Sequence, residues 1–317
     1  MYKVIISILL FFQGYIMGVP FSFELPIAVD QLILKKPNYI KSTDGINLAY
    51  YNFIPEAPDS ILIFYHGGGA WSNRIYQYMA QQLCEHYNIG TYLFDIRGHG
   101  NSQGERGDAP STEQVWQDIS TAINFVSQKH KKSTVFLGGH SSGAGLILNY
   151  SGWAKHQNVS GYLLIAPLLG SDSKAFYNHS DIEKRFIRKV RLLPLIISAI
   201  TNGFLFKHSP AIFFNYPVSE KKKDSYLLDY YTCAMTHAIS PRDTQRLFLN
   251  LDVSCCTLIG ELDEQFIPEK VVEFGKFAPK FSLFKTILRA THLSVVTDAV
   301  NDIAQWIETI NKNKQLE

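Results

Sequence analysis

Cysteine is scarce in this sequence, and none of it is spaced to hold a metal. Cys84, Cys233, Cys255 and Cys256 form no C-x-x-C pair, and the adjacent Cys255 and Cys256 are neighbours of a kind that rarely bridge each other. They read as small buried hydrophobes, with a Cys84–Cys233 bridge open if the chain is exported. No cofactor or metal is expected. Charge of one sign is missing too: 30 Lys plus Arg against 28 Asp plus Glu leaves a net +2, so no global field invites nucleic acid. Internal repeats and low-complexity tracts are absent. With 46% apolar and 18% charged residues over 317 positions, the chain is long enough for a sizeable core, and disorder is excluded outside the ends.

A clean cleavage signal is also missing where one is sought. "MYKVIISILLFFQGYIMGVPF" sets Lys3 ahead of an apolar run from Val4 to Phe12, continuing past Gln13 to Phe21. No small-x-small site follows, because Gly18 has Ile16 two residues before it and Ser22 has Pro20. Residues 1–24 are therefore expected to be a signal peptide or an N-terminal membrane anchor, the alternative being a buried N-terminal helix. Export or membrane association is expected ahead of a cytoplasmic location.

From about Tyr39 onward, strands and helices alternate. Thr43-Asp44-Gly45 marks a hairpin, and "SILIFY", "IGTYLF", "STVFLGGH" and "GYLLIAPL" are short β-branched and aromatic runs. Helical patterns lie between them at Asn73 to about Tyr87, at Ser111 to Lys129 with Val115, Ile119, Ile123 and Val126 on one face, and at Ala144 to about Trp153. Apolar strands alternating with helices imply parallel pairing in a sheet covered on both faces. The rhythm stops near Leu168 and resumes at "DVSCCTLIG", followed by a helix near Pro268 to Lys276, a strand at "FSLFKTILR" and a last helix ending near Asn311. Residues 36–169 and 251–314 thus form one α/β core, and residues 170–250, roughly 80 positions, are too long for a structureless loop. They are expected to be an inserted, mainly helical cap.

The informative glycines are in "VFLGGHSSGAG". Gly139-His140-Ser141-Ser142-Gly143 fits G-x-S-x-G where a predicted strand gives way to a predicted helix. A serine on so sharp a turn needs small residues two positions to either side, which Ser141 has and Ser142 lacks. A simple glycine-rich turn is the alternative; a phosphate loop is excluded, since no Lys-Ser/Thr follows. A serine hydroxyl needs a base to take its proton and a carboxylate to orient that base. Of the histidines after Ser141, only His292 in "RATHLSVV" sits just beyond a predicted core strand. Glu261, Asp263 and Glu264 in "TLIGELDEQF" are all open as the acid. Backbone N–H donors for an oxyanion are expected from Ser142 and, in the HGGG-type loop of "YHGGGAW", from Gly68.

Taken together, "FYHGGGAWSNRIYQYMAQQL", "FDIRGHGNSQGERG", "GGHSSGAG", "LIGELDEQFIP" and "ATHLSV" resemble the α/β-hydrolases of the monoacylglycerol lipase and lysophospholipase group, in order from about residue 39 to 312. Ala70-Trp71 stand where lipase relatives often carry Glu-His. The resemblance implies an α/β-hydrolase fold in which Ser141, Asp263 and His292 form a catalytic triad, with Gly68 and Ser142 as oxyanion donors. It also implies that Asp95, Arg97 and His99 shape a loop under the site. The expected function is a serine hydrolase of carboxylic esters, with a small-molecule or lipid monoester as substrate. A peptidase or amidase on the same scaffold and a non-catalytic binding protein are the alternatives. In the cap, Lys184, Arg185, Arg188, Lys189 and Arg191 lead into "LLPLIISAITNGFLF", which reads as an apolar lid helix and as a surface able to touch anionic lipid. Membrane contact through the N-terminus and the cap is thus among the expected partners.

Overall fold

Six residues, Ser60–Tyr65, are buried without exception, and so are Ile89–Phe94 beside them. Runs of this kind belong in the middle of a sheet covered on both faces. The structure is a computed structural model that describes residues 21–23, 27–177 and 185–314. Its main sheet has eight strands in the order β1 (Asn38–Lys41), β2 (Asn47–Phe53), β4 (Ile89–Phe94), β3 (Ser60–Tyr65), β5 (Thr134–His140), β6 (Tyr162–Ile165), β10 (Cys255–Gly260) and β11 (Leu283–Ile287). β1–β2 and β2–β4 are antiparallel; the remaining pairs are parallel. The hairpin between β1 and β2 turns at Gly45, whose φ of 87° suits glycine.

Alternate residues of each strand feed opposite layers. Ile61, Ile63, Leu137 and Leu164 pack with α3 (Thr112–Lys129) and α4 (Ser142–Ser151), while Leu62, Phe64, Phe136 and Leu163 pack with α2 (Arg74–Tyr87) and α11 (Val300–Lys314). In α3 the predicted face of Val115, Ile119, Ile123 and Val126 is the buried one, and Ser111 caps the helix by accepting from the Gln114 N–H at 3.1 Å. The helix expected near Pro268 is α9 (Pro268–Val272), continued by a 3₁₀ turn to Phe277. Short α1 (Ile27–Asp30) lies against α2, and α10 (Val295–Asp298) precedes α11.

Between β6 and β10 the insertion contains α5 (Leu192–Ile200), α6 (Val218–Lys223), α7 (Cys233–Ile239) and α8 (Thr244–Leu249). It also contains a feature the sequence pattern does not announce, a small antiparallel sheet of β7 (Ile187–Val190), β8 (Pro210–Phe214) and β9 (Tyr230–Thr232). These strands have three to five residues with a register shift in each pairing, too short and irregular for a period of two to show. The cysteines are free; Cys233, Cys255 and Cys256 are buried, as their small apolar character suggests. Most of the expected N-terminal signal or anchor, 1–20 and 24, lies outside the described residues, as does Lys184 of the basic cluster. No helix among the described residues is long and apolar enough to cross a membrane.

Candidate active site

Gly139, next to last in the central strand β5, turns its Cα toward the helix that follows. A Cβ there would stand 2.4 Å from the Gly143 carbonyl carbon, and one on Gly143 would stand 2.4 Å from the His66 oxygen. The two glycines let α4 begin almost on top of β5, and Ser141 between them is forced to φ 53°, ψ −116°, a conformation costly for a residue with a side chain. Hydrogen bonds hold the turn there: the Ser141 N–H donates to Ile165 O at 2.9 Å, and the Leu168 N–H donates to Ser141 O at 2.9 Å.

His292, on the loop after β11, brings its Nε2 to 3.1 Å from Ser141 Oγ. Its Nδ1 lies 2.8 Å from Asp263 Oδ2, both side chains being almost fully buried. The other Asp263 oxygen accepts the N–H groups of Gln265 and Phe266, each at 2.8 Å, so the carboxylate is held at both ends. The three acids left open by the sequence are separated by this geometry. Glu261 caps the Arg289 N–H at 2.9 Å. Glu264 is buried and accepts from the backbone N–H of His292 at 2.9 Å and from that of Ser22 at 3.1 Å. Only Asp263 of the three faces the imidazole.

Gly68 and Ser142 flank Ser141 as expected: a Cβ on Gly68 would meet Ser142 Oγ at 3.3 Å, and one on the preceding Gly67 would meet Ser141 Cβ at 3.5 Å. The Ser142 N–H is at the first turn of α4, where backbone donors have no partner inside the helix. All five predicted site residues therefore meet at the carboxyl end of the sheet. Sequence reasoning missed the side chains that brace them. Tyr76 OH accepts the Gly67 N–H at 2.8 Å and contacts His140 Nδ1 at 2.9 Å; Tyr216 and Tyr231, from the insertion, reach the same glycine loop. Nothing in their spacing marks them, and only His140, inside the pentapeptide, carried a signal.

The "DIRGHG" residues lie beneath. Asp95 accepts the N–H groups of Ser72 and Asn101 at 2.7 and 2.9 Å, and burial raises its pKa to about 6. Arg97 holds both oxygens of Asp118 and reaches Asp44 at 2.9 Å. Above Ser141 is a cavity of about 120 Å³ lined by Phe21, Phe23, Ile75, Phe186, Tyr216 and Leu293. Phe21, within the segment expected to be signal or anchor, sets its ring 5.7 Å from that of His292 and 5.1 Å from that of Phe186.

Comparison with known proteins finds hydrolases. The family model described as "Serine aminopeptidase, S33" matches residues 56–208, a segment that includes Ser141 but neither Asp263 nor His292. Monoglyceride lipase of Saccharomyces cerevisiae is 28% identical over 190 residues, covering 55% of this chain and 57% of the relative. Monoglyceride lipase of Rattus norvegicus is 31% identical over 132 residues, covering 41% of this chain and 43% of its own length. Protein phosphatase methylesterase 1 of Candida albicans is 30% identical over 146 residues, covering 43% of this chain and 39% of the relative. The chain thus spans less than two thirds of the length of these relatives. Among solved structures, a soluble variant of the Saccharomyces cerevisiae monoglyceride lipase with a substrate analogue superposes with a TM-score of 0.68 at 19% identity, over 88% of this chain and 97% of that one. The chain has the α/β-hydrolase fold of these solved structures and is similar in sequence to the monoglyceride lipases. The eight-stranded sheet supplies the fold shared with the solved structures, and Ser141 lies within the residues that the family model matches, 56–208.

Proposed function

We propose that this α/β-hydrolase is a serine ester hydrolase whose substrates are lipid monoesters such as monoacylglycerols or lysophospholipids. The observation that carries the reading is the 3.1 Å approach of His292 Nε2 to Ser141 Oγ at the floor of a cavity walled mainly by aromatic and aliphatic side chains. Ser141 Oγ attacks the acyl carbonyl carbon while His292 Nε2 takes its proton, and the carbonyl electron pair becomes an oxyanion facing the Gly68 and Ser142 N–H groups. Collapse passes the proton to the departing alcohol and leaves an acyl-enzyme; water, deprotonated by His292, then releases the fatty acid. Asp263 fixes the imidazole tautomer and stabilises its cation. The relatives named monoglyceride lipase support the substrate class.

A second reading, an aminopeptidase, is favoured by the family description and by two carboxylates, Glu220 and Asp224, on the cavity wall. Both are already engaged: Asp224 accepts from Trp71 Nε1 at 2.6 Å and from the Tyr226 N–H at 2.9 Å, and Glu220 pairs with Lys223 at 2.9 Å. Each carboxylate thus already has a donor within the protein, which weakens its pull on a free peptide ammonium, and the ester reading is preferred. Comparing monoacylglycerols with aminoacyl anilides on the same preparation decides between them; faster anilide cleavage would overturn the ester assignment.

Contact with a lipid surface fits the same reading. Leu193, Ile200 and Phe204 of the insertion are 68, 49 and 86% exposed, and Arg188, Lys189 and Arg191, also exposed, precede them. Export or membrane association remains our proposal for its location. Sedimentation with anionic vesicles, lost in Leu193→Ser/Phe204→Ser, is the expected outcome.

A further inference from the structure

The glycine loop that holds the proposed oxyanion donor is itself held by the insertion. The peptide joining Gly68 to Gly69 is gripped at both ends: its carbonyl oxygen accepts from Tyr216 OH at 2.6 Å, and its N–H donates to Tyr231 OH at 2.7 Å. The next carbonyl, of Gly69, accepts the Leu228 N–H at 2.8 Å. All three partners belong to the inserted segment. Packing closes the same region, since Gly69 has φ 66° and a Cβ there would stand 2.8 Å from the Phe214 ring.

The direction of the Tyr231 hydroxyl is fixed from below. His99 Nδ1 lies 2.9 Å from the Arg97 carbonyl, an acceptor, so the ring proton is on Nδ1 and Nε2 is left to accept. Tyr231 OH, 2.8 Å from that Nε2, therefore donates to His99 and accepts from Gly69. This gives the "RGHG" histidine a defined job: it orients a cap tyrosine that in turn orients the loop over the nucleophile.

A run of three glycines has little torsional preference of its own, and a Gly–Gly peptide rotates more freely than any other. Oxyanion donors act only when preorganised, with N–H groups aimed before charge develops. We propose that Tyr216 and Tyr231 are positioning residues that keep the Gly68–Gly69 peptide, and through it the Gly68 N–H, aligned on Ser141. Seating of the insertion on the core is then a condition for turnover as well as for substrate selection. The proposal rests on the reading of Gly68 as an oxyanion donor.

Tyr216→Phe and Tyr231→Phe remove only hydroxyls. Each is expected to lower kcat on a short-chain aryl ester by roughly tenfold or more, with KM changed less than about twofold, because the lost alignment matters only when the oxyanion forms. Binding of an alkyl trifluoromethyl ketone should weaken in step with kcat/KM. With this probe Ser141 Oγ bonds to the ketone carbon, its proton moves to His292 Nε2, and the oxygen becomes the anion those N–H groups hold. Tyr230→Phe, one position along β9 and on its other face, should leave both quantities unchanged. Tyr216 is only partly buried, so its variant carries the test should Tyr231→Phe not fold. Wild-type turnover with both hydroxyl-free variants within twofold of it, or a loss confined to KM, overturns this inference alone. A wild-type protein that neither cleaves esters nor takes a fluorophosphonate on Ser141 overturns the serine-hydrolase reading and this inference together.

Discussion

His140 Nε2 lies 2.9 Å from the carbonyl oxygen of His292, so the residue before the proposed nucleophile holds the backbone of the proposed base. A carbonyl only accepts, which puts the imidazole proton on Nε2 and leaves Nδ1 to accept from Tyr76 OH at 2.9 Å. Burial, with His292 alongside, drives the His140 pKa well below the ordinary histidine value and keeps the ring neutral. One chain of bonds thus runs from the Gly67 N–H through Tyr76 and His140 to His292. Replacing His140 by Ala is expected to reduce kcat by roughly tenfold, with a smaller change in KM, as the His292 loop loses a buried bond. Steady-state kinetics on a short-chain ester measures this; unchanged kcat in a folded variant contradicts it.

The three acids after β10 make different predictions. Asp263→Asn should lower kcat by roughly four orders of magnitude, since the amide favours the wrong imidazole tautomer. Glu264→Gln keeps an acceptor for the His292 N–H and should cost much less, within about tenfold. Glu261→Gln keeps an acceptor for the Arg289 N–H, does not touch the imidazole and should be neutral. Parallel kinetics on the three variants checks the order, and a more damaging Glu264→Gln than Asp263→Asn would reassign the acid.

What the sequence makes legible here follows from where local chemistry dominates. Buried parallel strands are continuous apolar runs, so β3 to β6 and β10 are visible in the residues themselves. Gly139 and Gly143 leave a trace because a Cβ cannot fit at either position, and His292 because it follows a core strand. The choice of Asp263 over its neighbours is not legible in the residues, because three acids within four positions differ only in what they face after folding. Tyr216 and Tyr231 are invisible for the same reason: their partners are 148 and 162 positions away. The small sheet of the insertion stays hidden because its strands are short and their registers shift.

Gly139→Ala tests the turn itself. A methyl group placed 2.4 Å from the Gly143 backbone must push β5 and α4 apart. The expected costs are roughly 1–3 kcal/mol of stability and loss of most activity, read by urea denaturation and ester turnover on one preparation. Full activity at wild-type stability would contradict the close-contact geometry.

Acid should weaken the fold from the top of the histidine range downward. Burial lowers the pKa values of His66 and His237 to about 4 and those of His99 and His140 well below the ordinary 6.5. The unfolded chain therefore binds protons first as pH falls through 6.5, and stability is lost over the window from there toward 4. Asp95 works in the opposite sense, because its raised pKa of about 6 lets the folded chain take a proton before the unfolded one does, but only below about 6. Urea midpoints should thus drop between about pH 7 and pH 6, and less steeply in His99→Gln. A midpoint flat or rising across that interval contradicts the buried neutral histidines.

The most direct test of the central claim is to label the intact protein with a fluorophosphonate and map the modified peptide. A single adduct on Ser141 in the wild type, abolished in Ser141→Ala and strongly slowed in His292→Ala, is the predicted result. An adduct on Ser142, or none on a folded protein that still cleaves esters, would contradict it.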